Sequence, residues 1–368
     1  LYRLVGSEMC IRDRLDSDLA GGDRDDGTVS GASLSLNWDL DWAMLTSISA
    51  YREHEYEYAE DYDGSPEMVG HWEQEQDGDY LSQEIRLVSN SDGKLNWIIG
   101  VSGYRENIEA HFANVTGEEV VCRAFFDADC SVVAVDIYGL ESYTPSPNHL
   151  YEDNFVDGTF TGYGAYANVV YAFTDKLKGD FGLRYSYDKK EFAMEIPEVQ
   201  SFLGPFMMFG YTSDWVNDEK DWSGLTPRAT LTYKVNKDWS VWGSATKGYK
   251  SGGFGSTTLE NPSTDNTKPL AFDPEIVWSY EAGAKATLLD NKVFLDTNVF
   301  YYEYTDLQLR YWDSDLFNVV VDNVGKVVGQ GVEGSIKWVA NDYFDVYLGA
   351  SYMAVSYTHL TLPTTLSV

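Results

Sequence analysis

The chain has 368 residues, with 26 lysines and arginines against 59 aspartates and glutamates, which gives a net charge of -33. A charge of this size repels phosphate backbones, so we exclude nucleic acid as a partner. Aromatic residues make up 15% of the chain, whereas disordered acidic chains are poor in them, so we expect a folded protein.

Two short segments at the ends of the chain differ in character from the rest. Residues 4–13 (LVGSEMCIRD) and 355–365 (VSYTHLTLPTT) resemble translated adapter sequences of transposon-based DNA libraries. We therefore expect residues 1–14 and 355–368 to be non-native, and residues 15–354 to be an internal piece of a longer protein. A missing signal peptide consequently carries no information.

Alternation of apolar and polar residues predicts β-strands along most of residues 15–354. In residues 178–190, for example, Phe181, Leu183 and Tyr185 share one face of the predicted strand, and Arg184 and Asp188 share the other. No helical period stands out. The alternation predicts about twelve antiparallel strands, which centre in chain order on residues 30–38, 42–54, 79–90, 95–106, 158–172, 177–190, 224–234, 239–250, 274–288, 292–311, 319–339 and 343–354.

The predicted connections alternate between short and long. Polar turns rich in Asp, Asn and Gly lie at residues 39–41, 91–94, 174–176, 236–238, 289–291 and 341–342. Long connections lie between them, around residues 56–77, 107–157, 191–222, 250–273 and 313–318. This alternation is typical of an outer-membrane β-barrel, in which tight periplasmic turns and long external loops occupy opposite rims.

Strand length also favours a membrane barrel over a soluble β-protein. Soluble strands usually run about five or six residues, whereas the alternation over residues 292–311 is long enough to cross a bilayer and project beyond it. The mean hydropathy of -0.33 suits strands that face lipid on one side and water on the other. Aromatic residues near strand ends, such as Trp38, Trp42, Trp239, Trp338 and Tyr301, suit the lipid headgroup layer. They would also suit a soluble core, so that alternative stays open.

The cysteines give information about the compartment. Cys10 lies in an expected non-native segment, which leaves Cys122 and Cys130 in a polar stretch, CRAFFDADC. We expect a disulfide between them, which implies an oxidising compartment. A metal site or two free thiols are the alternatives, and the nearest histidine, His111, lies outside this loop.

Several segments, taken together and in order, resemble the TonB-dependent receptor family of plugged outer-membrane transporters. They are SQEIRLVS (82–89), GKLNWIIGVSGYREN (93–107), GLRYSYDKK (182–190), WSVWGSATKGYKSGGF (239–254), FDPEIVWSYEAGAKATLLDNKVFLDTNVFYYEYTDLQL (272–309) and NVGKVVGQGVEGSIKW (323–338). Within the family, the resemblance is closest to siderophore receptors of the pesticin or yersiniabactin type.

The resemblance implies a plugged barrel of about 22 strands, of which this chain supplies roughly the middle half. The plug domain and the segment that contacts TonB would lie in the missing amino-terminal part. The implied function is active uptake of a scarce nutrient, foremost a ferric siderophore, across the outer membrane of a Gram-negative bacterium. A passive substrate-specific porin and a soluble β-rich enzyme or carbohydrate-binding protein are the alternatives.

Two groups of residues are candidates for the site. Charges on the lumen face would be partly desolvated and need partners, across strands or in the plug; a solvated pore wall is the alternative. We select from them Glu84, Arg86, Arg184 and Glu281. Aromatic residues in the external loops could stack on a flat chelate, although such loops also pack on themselves. These candidates are Phe125, Phe126, Tyr211, Trp215 and Trp312.

Other chemistry finds little support in the sequence. Carboxylates are so numerous that pairs at glycosidase-like spacing arise by chance, and no calcium-loop spacing occurs. Residues 250–253 (KSGG) lack the glycine spacing and strand-to-helix context of a phosphate loop, and we interpret them as a strand that leaves the membrane into a flexible loop. The five histidines show no metal-binding spacing. We expect no enzymatic activity, no metal site and no cofactor.

Overall fold

The computed structural model describes residue 19 and residues 22–62, 68–146, 149–204, 210–261, 267–313 and 318–358, without the side chains of residues 312 and 313. Within these ranges the chain forms fourteen strands. They are β1 (Arg24–Asp39), β2 (Ala43–Asp61), β3 (Gly70–Ser89), β4 (Leu95–Thr116), β5 (Leu150–Ala172), β6 (Leu177–Glu195), β7 (Val216–Lys234), β8 (Trp239–Lys250), β9 (Gly253–Leu259), β10 (Pro269–Phe272), β11 (Glu275–Leu288), β12 (Val293–Asp313), β13 (Asn318–Asn341) and β14 (Phe344–Thr358).

Twelve of the strands form one antiparallel sheet in the order β1-β2-β3-β4-β5-β6-β7-β8-β11-β12-β13-β14. Neighbours in the chain are neighbours in the sheet, and only the β9–β10 hairpin is left out of this order. The predicted all-β antiparallel fold with twelve strands is confirmed. β1 and β14 are the two edges, so the barrel is open, as expected of an incomplete barrel. β14 includes residues 355–358, which belong to the expected non-native segment.

The six short turns lie where the sequence predicts them. β1 and β2 are joined through Asp41, whose φ of 67° is in the left-handed region that Asp and Asn tolerate. Leu289, Asp290 and Asn291 between β11 and β12 have φ values of 54°, 52° and 64°. All six turns lie on the same rim because they alternate along the chain with the long connections, which lie on the opposite rim.

Three of the five predicted long connections are wrong in their extent, since the strands continue well into them, whereas the strand ends at Asp313 and Asn318 agree with the fifth. β2 runs to Asp61 and β3 begins at Gly70, where we expected a connection over residues 56–77. Within the predicted connection over residues 250–273, β9 and β10 pair as a hairpin, where we expected a flexible loop after residue 253. The connection between β4 and β5 contains helix α1 (Glu118–Phe126), a short helix α2 (Cys130–Val132) and a π-helical turn (Val133–Ile137), which no sequence period indicated.

The sheet has an apolar and a polar face, as the alternation predicts. On β6, Phe181, Leu183 and Tyr185 are solvent-exposed in the isolated chain, Leu183 to 47%. Val299 on β12 is 54% exposed, so these side chains do not pack as a dry core. They form an outward apolar belt that continues onto the neighbouring strands. In the described part of the chain, no helix has the length and apolar character needed to cross a membrane.

Aromatic residues border the apolar belt at both ends. Towards the short turns lie Trp97, Tyr171, Tyr233 and Trp338, and towards the opposite rim lie Tyr51, Tyr163, Tyr301 and Tyr352. Such rings prefer the lipid headgroup layer, where their apolar body and polar atom both find suitable surroundings. The belt therefore has the position and borders of a membrane-spanning band.

Beyond the belt the polarity of the two faces is reversed. On β6, Glu191 and Glu195 point outward, whereas Phe192 and Met194 point inward and are buried. Inward-pointing residues of β4, β5 and β6 form a cluster with Leu259 of the β9–β10 hairpin. The outer ends of the strands therefore stand in water on the outside and enclose a packed apolar cluster on the inside.

The pairing between β7 and β8 stops before either strand ends. Their ladder runs from Lys234–Ser240 only to Arg228–Thr246, although both strands continue outward. Pro227 follows at this point, and it has no N–H to donate to a neighbouring strand. The β9–β10 hairpin lies on the inner side of the sheet there, because it contacts β6, β7 and β13.

Candidate ligand-binding site

The inner face of β3 to β6 carries a network of charged side chains around one tyrosine. The Tyr166 hydroxyl donates a hydrogen bond to Glu84 (2.8 Å), and Arg86 lies 3.5 Å from the same carboxylate. The Arg184 guanidinium lies 5.7 Å from the centre of the Tyr166 ring and donates hydrogen bonds to Ser102 and Ser186. The structure thus brings together Glu84, Arg86 and Arg184, three of the four predicted lumen charges.

Arg184 has no carboxylate partner among the described residues, which leaves a positive charge on the inner wall. Glu281, the fourth predicted lumen charge, lies apart on β11. It accepts hydrogen bonds from Ser279 (3.2 Å) and Asn298 (3.5 Å), and no cation within the described ranges is paired with it. Both unpaired charges face the interior of the barrel.

Tyrosine rings on the inner face lie across glycines of the next strand. The ring of Tyr166 covers Gly100, and that of Tyr104 covers Gly162, where a Cβ atom would overlap the ring. Tyr104 also stacks on Tyr80 at 5.6 Å and donates a hydrogen bond to Asp188 (2.9 Å). Glycine is needed at these positions for close approach, and the rings give the inner wall a flat surface.

Two external connections pack together into one unit. The β4–β5 connection, with α1 and α2, contributes Val121, Val133 and a disulfide between Cys122 and Cys130 to a buried cluster. The β6–β7 connection contributes Val199 and Leu203 to the same cluster. The described residues of these two connections therefore form one packed external unit.

A buried carboxylate joins these two connections. Glu118, at the start of α1, is 5% exposed. It accepts hydrogen bonds from the Tyr143 hydroxyl, the Ser146 N–H and, across to the other connection, the Ser201 hydroxyl. Glu118 was not predictable from the sequence, because nothing distinguishes one glutamate among 59 acidic residues by its partners.

The neighbouring Glu119 stabilises the disulfide segment. The Cys130 N–H donates a hydrogen bond to Glu119 (3.1 Å), and Arg123 lies 3.1 Å from the same side chain. The backbone hydrogen bond is the main cause of the lowered pKa of Glu119, and Arg123 acts in the same direction. Arg123 also reaches Asp129 at 2.9 Å, so the segment is held by charges as well as by the disulfide.

The predicted loop aromatics whose side chains are described differ in their exposure. Phe125 is 54% exposed on α1, whereas Phe126 packs against the buried cluster of the same unit. Tyr211 and Trp215 are exposed in the β6–β7 connection. The side chain of Trp312 lies outside the described residues, although its backbone pairs with Val319.

The β9–β10 hairpin closes part of the outer mouth. Lys268 lies 3.1 Å from Asp218 of β7 and 3.3 Å from Glu260, and these hydrogen bonds raise the pKa of Lys268. Asn318 and Asn154 donate hydrogen bonds to the hairpin carbonyls of Thr257 and Ser256. The hairpin is thus fixed to the inner side of three strands that lie far apart in sequence.

Two further features are not part of this site. An apolar concavity of about 470 Å³, lined by residues such as Ile85, Ile99, Val101, Leu183 and Leu225, lies on the outward belt and is a surface for lipid tails. Across the described ranges, no group of three or more His, Cys, Asp or Glu side chains has a geometry that could hold a metal ion.

The family model for the TonB dependent receptor-like β-barrel matches residues 11–365. The chain belongs to this family. It is part of an outer-membrane β-barrel of a Gram-negative bacterium, and the family consists of transport receptors rather than enzymes. The resemblance noted in the sequence, the predicted localisation and the expectation of a non-enzyme are confirmed by this match.

Known members of this TonB-dependent receptor family resemble the chain over part of their length. The chain is 26% identical to the pesticin receptor of Yersinia pestis over 175 residues. The aligned segment covers 47% of this chain and 23% of that receptor. The crystal structure of the ferric yersiniabactin uptake receptor FyuA of Yersinia pestis superposes with a TM-score of 0.68 and 18% identity, over 90% of this chain and 43% of that one.

The siderophore receptor PiuA of Acinetobacter baumannii gives a TM-score of 0.59 at 18% identity, over 92% of this chain and 48% of that one. At these identities the solved structures support the fold alone. The chain spans less than half the length of these relatives.

Proposed function

We propose that this chain is part of an outer-membrane receptor for active, TonB-coupled uptake of a ferric siderophore. The observation that carries the proposal is the match of nearly the whole chain to the family's barrel. The relatives with iron chelates in their names, the ferric yersiniabactin receptor and the siderophore receptor PiuA, support an iron chelate as the ligand. The packed external unit and the hairpin at the outer mouth suit capture of a ligand from outside.

An uptake assay tests the proposal. We expect iron-starved cells that carry the full-length receptor, and no other receptor of this kind, to accumulate radioactive iron from a siderophore complex. Because the plug can be displaced only by energised TonB, accumulation should fall to background when the proton gradient is collapsed or TonB is deleted. Uptake that continues after either treatment would contradict the proposal and support a passive porin.

The plug domain is the second proposed partner, and it would lie in the part of the protein that this chain does not contain. We propose that Arg184 and Glu281, which have no oppositely charged partner in the described barrel wall, pair with the plug. Glu84 and Arg86 are already paired with each other and would support the contact at Arg184. A buried charge that is left without a partner is costly, so the plug is expected to provide one.

Substituting these residues should loosen the plug. We expect Arg184→Gln with Glu281→Gln in the full-length receptor to admit antibiotics that are too large for the intact outer membrane. Lys189→Gln is the matched control, because Lys189 points outward on β6 and is paired with Glu191 and Glu219. Equal antibiotic sensitivity of the double variant, the control and the wild type would refute the plug contacts.

Of the loop aromatics, Phe125, Tyr211 and Trp215 are exposed and remain proposed ligand contacts. Phe126 is engaged in packing within its own unit, which favours the structural alternative for that residue. Trp312 remains a proposed contact on its sequence position alone. An exposed ring on an ordered loop is suited to stack on a flat chelate because little conformational entropy is lost.

A further inference from the structure

Three lysines lie on the inner side of the wall at the outer end of the sheet. Lys190 of β6 and Lys220 of β7 are direct cross-strand partners. Both are half-buried, and both alternate with outward-pointing charges such as Lys189 and Asp221, so they point inward. Lys250 is the last residue of β8, where that strand has separated from β7. It lies close enough for electrostatic repulsion between its positive charge and that of Lys190.

None of these three lysines is neutralised by a carboxylate. In the described part of the chain, no carboxylate oxygen lies within 4.0 Å of the Nζ atom of Lys190, Lys220 or Lys250. Lysines elsewhere, such as Lys189 and Lys268, have carboxylates at 2.7–3.3 Å. Like charges directly opposite each other destabilise a sheet. The facing pair of Lys190 and Lys220 is therefore unfavourable unless a further group neutralises its charge.

The carboxylates closest to this cluster bind other groups or lie too far away for an ion pair. Asp188 accepts the hydrogen bond from Tyr104 (2.9 Å), and Asp218 binds Lys268 (3.1 Å). Glu275, the cross-strand partner of Lys250, accepts a hydrogen bond from the Gln308 N–H (3.0 Å). Glu106 attracts Lys190 electrostatically, but its carboxylate lies more than 4.0 Å from the Lys190 Nζ atom. The positive charge of the cluster is thus available to a further group.

Aromatic rings lie beside the three lysines. The Lys190 Nζ atom lies 5.5 Å from the ring centre of Phe160 and 5.9 Å from that of Trp222. Trp222 meets Phe254 of the hairpin edge to face at 6.3 Å. A Cβ atom on Gly253 would lie 3.4 Å from the Lys190 Nζ atom, so the hairpin begins directly beside the cluster. The site therefore combines cations with flat apolar surfaces at the outer mouth.

We propose that Lys190, Lys220 and Lys250 form an anion-binding site, and that the ligand is a chelate with net negative charge and aromatic rings, of the catecholate class. The inference rests on the proposed function and names its substrate class. The net charge of -33 repels anions from the protein as a whole, so an anionic ligand needs a local group of cations to be bound. Stacking against Phe160 or Trp222 would add the contact that a flat ring can make.

Two iron complexes of different charge test this proposal. The full-length receptor is titrated with the anionic iron(III) tris-catecholate complex and with an uncharged iron(III) tris-hydroxamate complex. Lys190→Gln with Lys220→Gln should weaken tris-catecholate binding by about tenfold or more, because two charge-assisted contacts are lost. Binding of the uncharged complex should change little. Lys190→Arg with Lys220→Arg should retain tris-catecholate binding, and Lys189→Gln, which removes the outward-pointing neighbour, should have no effect.

The outcomes separate this inference from the proposed function. An equal loss for both complexes, or no loss for either, would overturn the anion site. Unchanged chelate affinity with lower thermal stability of the double variant would identify an acidic plug residue as the occupant and also overturn it. A wild-type receptor that transports iron and binds only the uncharged complex would refute this inference alone. A wild type that binds neither complex and transports no iron would refute both proposals.

Discussion

Replacing Leu183 with arginine should destabilise the membrane-inserted, full-length receptor by about 2–4 kcal/mol, the cost of a cationic side chain near the bilayer midplane. Leu183 is 47% exposed and lies in the middle of the outward residues of β6. The free energy of unfolding from lipid vesicles, measured by denaturant titration, gives this quantity directly.

Ser244→Arg is the matched control for this prediction. Ser244 lies on the inner face of β8 directly opposite Glu281, which has no cationic partner among the described residues. A charge added there meets a polar wall rather than hydrocarbon, so we expect a change within about 1 kcal/mol. Equal destabilisation by both substitutions would show that the two faces do not differ in their surroundings.

Replacing Glu118 with alanine should detach the two external connections from each other. The substitution leaves the half-buried Tyr143 and Ser201 hydroxyls and the half-buried Ser146 N–H without their acceptor. A buried donor left unsatisfied costs about 1–3 kcal/mol, and a half-buried one costs less because water reaches it, so the external unit should lose on the order of 2 kcal/mol of its local stability. Hydrogen exchange at the Ser146 amide should become faster by the corresponding factor, whereas amides of the barrel strands should keep their protection.

Glu141→Ala is the control for this second prediction, because Glu141 lies in the same connection and is exposed. It should leave the exchange rate at Ser146 unchanged. If Glu118→Ala leaves this rate unchanged as well, the carboxylate does not hold the unit together.

The sequence predicted the sheet well wherever the strand crosses the belt. Phe181, Leu183 and Tyr185 alternate with polar residues there because one face of β6 contacts lipid and the other faces the polar lumen. Turns were also predictable, since Asp41 and Asn291 are residue types that tolerate a positive φ.

Beyond the belt the same reasoning failed for a physical reason. At Glu191 and Phe192 the apolar residues change from the outward to the inward face, since water replaces lipid outside and the hairpin packs inside. A pattern that changes phase in the middle of a strand looks like the end of that strand. Three of the predicted connections were therefore too long, and the β9–β10 hairpin was taken for a flexible loop.

The candidate site was harder to predict than the fold. Glu84, Arg86 and Arg184 were predictable as inward charges, because their faces follow from the period of two. The pairing of Lys190 with Lys220 was not, because it depends on the register between β6 and β7. The contacts of Glu118 likewise depend on two connections that lie apart in sequence.

Spin labels along β6 can show whether the sheet separates hydrocarbon outside from a polar cavity inside. Labels are attached one at a time at positions 181–186 of the full-length receptor in lipid vesicles, and their accessibility to oxygen and to a water-soluble nickel complex is measured. We predict a period of two, with labels at Phe181, Leu183 and Tyr185 more accessible to oxygen than those at Gly182, Arg184 and Ser186. Labels at Phe181, Leu183 and Tyr185 that neither reagent reaches would show a dry protein core and contradict the account.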